Sequence, residues 1–218
     1  MYMKLFLSDT DKEILNKRIE EAEQVTKAQI VLATVKRSDS YAEIPWQAFA
    51  LGASLAGLLV IIFLIISPFW ISRQAILISS VVILASGGFF AILSILSEGF
   101  AKLFLSAPRA ETEIRQFGKS MFLDHELFST SARTGVLLLI SQFERRVLIL
   151  PDSGLTDRLT PDKLSYIISE ITKPLAKRQL REAMETGLEK IVEALLPPDS
   201  EWPGENELSN KIIEEKGE

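Results

Sequence analysis

Two uncharged apolar runs, separated only by Ile71-Ser72-Arg73-Gln74, constrain this chain more than any other feature. The first extends from about Ala48 to Trp70 (AFALGASLAGLLVIIFLIISPFW) and the second from about Ala75 to Ser97 (AILISSVVILASGGFFAILSILS). No charged side chain lies between Glu43 and Arg73, nor from Gln74 to Ser97. A spanning helix needs about 20 mostly apolar residues, and each run has roughly 23, enough to cross with some tilt. So short a connection predicts an antiparallel transmembrane hairpin over residues 46–97, with both of its ends on one side of the bilayer. Pro68 falls near the end of the first span, where the chain is about to turn. Trp46 and Trp70 fall near its opposite ends, as interfacial aromatics do. Gly52, Ala53, Ala56 and Gly57, with Gly87 and Gly88 opposite, offer small side chains for close backbone packing. About 165 residues remain, the size of one domain and too few to wrap two such helices in a soluble core.

The average composition hides this block. A chain of 218 residues with 47% hydrophobic and 24% charged residues looks globular only because the apolar residues are concentrated. The formal net charge of −5 argues against a general nucleic-acid binder. Cysteine is absent and His125 is the single histidine, so disulfides, thiolate sites and His-rich zinc sites are excluded. The start, Met1-Tyr-Met-Lys-Leu-Phe-Leu7, has too short an apolar run for a secretion signal. Lys27, Lys36 and Arg37 precede the hairpin and Lys102, Arg109 and Arg115 follow it, whereas its turn carries only Arg73. The positive-inside rule therefore predicts a two-pass protein of the cytoplasmic membrane, with both termini and the soluble domain in the cytoplasm.

The flanking sequence reads as alternating helices and strands. Ser8 and Asp11 form a capping-box pattern ahead of Ile14, Leu15, Ile19, Ala22 and Val25 at helical spacing, ending near Thr26-Lys27. Gln29–Val35 is an apolar run rich in β-branched residues, the signature of a buried strand. After the hairpin, Pro108 and Glu111 suit a first helical turn, with Ile114, Phe117 and Met121 as its apolar stripe. Thr134–Ser141 and Arg146–Leu150 read as strands joined tightly enough to be antiparallel. Thr160-Pro161 opens a helix burying Leu164, Ile167, Ile168 and Ile171, which Pro174 is expected to interrupt. A last helix over about 178–196 buries Leu180, Met184, Leu188, Ile191 and Leu195 and stops at Pro197-Pro198. The tail from Asp199 is polar and acidic and is expected to be mobile. The fold class is α/β: a small mixed sheet flanked by helices and interrupted by the transmembrane hairpin.

Several phrases carry a resemblance to the TPM-domain family. Thr26-Lys-Ala-Gln-Ile-Val-Leu-Ala-Thr-Val35 is similar to its first strand, T-G-A-Q-I-x-V-x-T-V. Arg133-Thr-Gly-Val-Leu-Leu-Leu-Ile140 resembles D-N-G-V-L-L-L-V, and Glu144-Arg-Arg-Val-Leu-Ile149 resembles D-R-K-V-x-I. Gly154-Leu155 with Leu159-Thr160, and Ile171-Thr-Lys-Pro174, resemble its G-L-E-x-x-L-T and I-x-x-P segments. The resemblance implies that residues 1–45 and 98–196 are two parts of one TPM-like domain, with a hairpin at 46–97 and a tail at 197–218. It resembles a membrane-anchored prokaryotic subgroup. Family members have been linked to phosphatase activity, calcium binding, photosystem repair and accessory roles on membrane proteins, and a fold does not transfer any of these.

Where the family's turn supplies an acidic residue, this chain has Arg133-Thr134, which weakens the expectation of calcium, an ion that needs six to eight oxygen ligands. No cofactor is expected. The polar cluster comprises Asp124, His125 and Glu126, then Arg133, then Asp152, Ser153 and Asp157. The sharpest catalytic reading makes Asp152 a nucleophile, His125 an acid and Arg133 a phosphate clamp. Asp124, Asp152 and Asp157 are the candidate metal ligands. Against this, Asp152-Ser153-Gly154 is an ordinary turn sequence, and an Arg133–Asp152 surface pair would contribute at most about 1 kcal/mol. The chain has no P-loop, G-x-G-x-x-G or G-x-S-x-G. Arg145-Arg146 read as solubilising or as lying near lipid headgroups. With no intramembrane charge, two helices offer no ion path. The expected function is a non-enzymatic accessory module on another membrane protein, or one that self-associates; the alternative is a membrane-bound phosphatase.

Overall fold

A computed structural model describes residues 7–67, 72–196 and 212–215. Pro68, Trp70, Pro197-Pro198 and most of the acidic tail lie outside the described residues. The chain divides into two compact units, one of residues 1–39 and 110–218, the other of residues 40–109.

The first unit is a four-stranded mixed sheet in the order β3-β2-β1-β4, with β1 at Gln29–Val35, β2 at Gly135–Ser141, β3 at Arg146–Pro151 and β4 at Ile213–Glu215. β1 pairs parallel with β2 over its full length and parallel with β4 at Ala33–Val35, whereas β2 and β3 are antiparallel. Every residue of β1 and β2 is buried, so both faces of the sheet must be covered, and an uninterrupted apolar run is the pattern this requires. Ile30 and Leu32, with Val136, Leu138 and Ile140, face a core built from helices α1 (Asp9–Thr26), α6 (Pro161–Ala176) and α7 (Leu180–Leu195). Val31, Ala33 and Val35, with Leu137 and Leu139, face the opposite core, closed by Ile114 and Met121 of α5 (Ala107–Asp124).

Helix α1 begins as its sequence predicts. The Asp11 amide donates to Ser8 Oγ at 3.1 Å, and Asp11 Oδ2 accepts from the Ser8 amide at 3.1 Å. The helix closes on Lys27 in the left-handed region, φ 63°. Leu15, Ile19 and Ala22 are buried as expected, but Val25 is half exposed; the buried face passes instead through Glu23 and Thr26, whose side chains bond the backbone of Ile30 and Ala22. Pro174 does not interrupt α6, which continues to Ala176 with the proline buried inside it. The missing N–H therefore falls in the last turn, where the helix is about to end.

The tail holds a correction. Ile213–Glu215 is an edge strand, where the acidic composition predicts a mobile segment. Ile213 packs on the α5-side core, and Glu214 Oε1 accepts from the Leu7 amide at 3.0 Å while Oε2 meets Lys12 Nζ at 2.7 Å.

The second unit contains α2 (Glu43–Ile66), α3 (Arg73–Leu96) and the short α4 (Glu98–Ala101). Both long helices have the length and apolarity to cross a membrane, and only 11% and 6% of their apolar windows are buried, unlike the core helices of a soluble protein. They pack against each other as an antiparallel pair. Ser86 Oγ donates to the Gly52 carbonyl at 3.1 Å, and a side chain at Gly52 or Gly87 would run into Phe90 or Phe49. Gly57 and Gly88, read from the sequence as part of the same seam, face open space. Where the chain leaves the hairpin, Arg109 Nε meets Glu43 Oε1 of the first turn of α2 at 3.2 Å.

Two outcomes follow from these contacts. Gly52→Leu should lower the unfolding temperature in mild detergent by an amount corresponding to about 1–3 kcal/mol, with Gly57→Leu nearly neutral; circular dichroism on heating distinguishes them. The hydrogen bonds from Ser8 hold the Asp11 carboxyl below its ordinary value of 3.8. A depressed carboxyl stabilises the fold above its unfolded pKa, and that contribution is lost as pH falls through the lower folded value. Protection factors of the amides at the start of α1, corrected for the intrinsic exchange rate at each pH, should therefore fall as the pH drops below about 4, and Ser8→Ala should blunt the change.

Candidate functional site

The antiparallel β2–β3 register pairs Val136 with Pro151, which sets the residues just before β2 beside those just after β3. The Asp152 amide donates to the Gly135 carbonyl at 2.8 Å, and the Gly154 amide donates to the Arg133 carbonyl at 3.0 Å. Gly154 is required here, since a Cβ would lie 2.3 Å from the Ala132 carbonyl oxygen. Arg133 itself is left-handed, φ 55°, and its backbone is held by Thr130, whose carbonyl and hydroxyl accept from the Arg133 and Thr134 amides.

Asp152 is 9% exposed. Its Oδ1 accepts from the Ser153 amide at 2.6 Å and so opens the single 3₁₀ turn Ser153–Leu155. Among the described residues its Oδ2 accepts no hydrogen bond, and Arg133 Nη1 stands 3.8 Å away. The Arg133 guanidinium is half exposed and lies 5.8 Å from the Phe128 ring centroid. At 3.8 Å with an exposed partner, this is a weak ion pair, not a bidentate clamp. Arg133 and Asp152 thus do meet at one corner of the sheet.

The remaining residues of the cluster do not join them. His125 is exposed at the end of α5; its amide bonds the Met121 carbonyl, and among the described residues its imidazole meets no hydrogen-bond or ion-pair partner. Asp124 is exposed and accepts from Ser120 Oγ at 3.2 Å. Asp157 is exposed beyond the 3₁₀ turn, bonded to neither Arg133 nor Asp152. Among the described residues, no three acidic or histidine side chains are grouped closely enough to hold a metal ion, so Asp124, Asp152 and Asp157 form no such group.

Two polar features escape a reading by local motif. Glu144, buried on the β2–β3 turn, accepts from the Ser38 amide at 2.9 Å, from Ser38 Oγ at 2.6 Å and from Ser141 Oγ. Its carboxylate ties the turn to the end of β1. Beside it, Ser38, Asp39, Glu113, Ser120, Asp124 and Glu215 line an open pocket of about 300 Å³ at the carboxyl ends of β1 and β4, against α5. The sequence signal for these features is weak, because their members lie on four separate segments.

Asp152→Ala should cost about 0.5–1.5 kcal/mol by removing the side-chain bond to the Ser153 amide of a part-buried turn, whereas Arg133→Asn, suited to a left-handed position, should cost under about 0.5 kcal/mol. Thermal unfolding of the two variants measures the contrast.

Residues 103–194 match the model of a family described as the TPM domain. The fold resembles the NMR structure of BA42 protein from the psychrophilic bacterium Bizionia argentinensis, with a TM-score of 0.56 and 14% identity over 98% of this chain and 98% of that one. At that identity the likeness is one of fold. No curated protein matches the sequence.

Proposed function

From a chain that carries a TPM domain and, inserted ahead of the matched region, two helices able to span a bilayer, we propose a membrane-anchored binding module that assists another membrane protein. The observation that carries this reading is the hairpin itself. Leu58, Leu59, Ile61, Ile65, Ile66, Ile76, Leu84 and Ile95 are all more than half exposed, an apolar surface that water does not tolerate and a lipid interior does. The insertion falls between β1 and β2 of one sheet, so two connections, not one, join it to the α/β unit. In this reading the soluble unit and both termini face the cytoplasm, as the basic flanks favour.

A second reading, a phosphatase, draws on the Asp152 Oδ2 atom that accepts no hydrogen bond beside the half-exposed Arg133. It is the weaker one, because His125 is not bonded to that corner and the nucleophile has no base or acid within reach among its bonded neighbours.

Alkaline extraction should leave the full chain in the membrane pellet, and co-purification in mild detergent should yield a stable partner or oligomer. Release by carbonate, or a solitary monomer in every mild detergent, would contradict the anchor and the module respectively. Turnover of a generic phosphate ester that is lost in Asp152→Asn and Arg133→Ala would favour the second reading.

A further inference from the structure

We propose that the turn between β2 and β3 is a docking surface for an anionic lipid bilayer, through Arg145 and Arg146. This rests on the membrane-anchor reading and adds a specific contact to it. Both arginines are exposed, and among the described residues neither guanidinium meets a carboxylate or any hydrogen-bond acceptor. Arg145 holds a left-handed conformation, φ 52°, at the tip of the turn. Lys36 and Arg37 extend the basic surface, because the Phe143 amide donates to the Lys36 carbonyl at 2.9 Å and the Arg37 guanidinium stacks 4.3 Å from the Phe143 ring centroid.

Of the acidic groups nearby, the Glu144 carboxylate is turned inward onto Ser38 and Ser141 and Glu214 is engaged with Leu7 and Lys12, while the exposed Glu215, whose carbonyl accepts from the Lys36 amide, lies on the Lys36 side, away from the tip that carries Arg145 and Arg146. The turn therefore presents positive charge outward. The chain itself limits how far that charge can stand from lipid. Glu144 pins the turn to Ser38, and α2 begins at Glu43, about five residues on, a reach of at most roughly 18 Å. An anionic leaflet attracts basic groups within a Debye length of about 10 Å, a distance that a linker this short allows the turn to come within. A phosphate-rich surface fits two adjacent guanidinium groups better than a single small anion would, since they share no enclosed pocket and face solvent side by side.

The test uses the full chain in nanodiscs of phosphatidylcholine alone and of phosphatidylcholine mixed with phosphatidylglycerol. Modification of arginines by phenylglyoxal is followed by mass spectrometry, with Arg133, half exposed before β2 at the other end of the strand, as the internal reference. On anionic discs Arg145 and Arg146 should react about fivefold more slowly relative to Arg133, and high salt should abolish the difference. Arg146→Gln should weaken the protection of Arg145. Equal rates on the two kinds of disc would overturn the proposal while leaving the anchor intact. Protection on neutral discs brought about by soluble glycerol phosphate would overturn it too, pointing to a small anion. A chain that fails to stay with either disc would remove the anchor reading and this inference together.

Discussion

The parallel pairing of β1 with β2 is the constraint on which the rest of the architecture hangs. Its register, Gln29 with Gly135 through Val35 with Ser141, is continuous. Parallel neighbours cannot be joined by a tight turn, so a long crossover is obligatory, and here that crossover contains the hairpin and α5. With β1 central and buried on both faces, helices must cover both sides: α5 on one, and α1, α6 and α7 on the other. The two long apolar helices are in this way part of the sheet's own crossover and not appended to the domain.

The polar groups follow the same frame. Where β1 and β2 end, their last residues need partners, and Glu144 supplies them to Ser38 and Ser141 from the adjoining turn. At the other end of the β2–β3 pair, Asp152 and Thr130 hold the left-handed Arg133 in place. One end of the hairpin is thus organised by a buried acid and presents basic side chains outward. The other carries a loose ion pair around a short 3₁₀ turn.

Much of this was legible because it is local. Ser8 and Asp11 are three residues apart, and the apolar runs of β1, β2 and the two long helices announce themselves without reference to the rest of the chain. The meeting of Arg133 and Asp152 was legible at one remove, from the antiparallel connection between their strands. What escaped was nonlocal. Ser38 and Glu144 are 106 residues apart, and nothing around Glu144 marks it as buried. β4 escaped because Ile212-Ile213 is a brief apolar interruption in an acidic tail; its partner β1 decides its structure. Val25 departs from its helical spacing because the buried face shifts at the end of α1, whereas Pro174 marks the last turn of α6 as its sequence suggests.

The Arg109–Glu43 pair shows that the chain returns from the hairpin close to the point where it entered. That return bears on the order of events during synthesis. β1 emerges from the ribosome first and has no neighbour until β2 follows, about a hundred residues later, so in solution it would wait as an exposed apolar strand prone to aggregate. Packing of the two helices against each other removes most of that separation by bringing the ends of the hairpin together, shortening the loop that must close before the strands can pair. The packing of α2 against α3 thereby serves the sheet as well as the two helices: it closes most of the crossover before β1 and β2 pair.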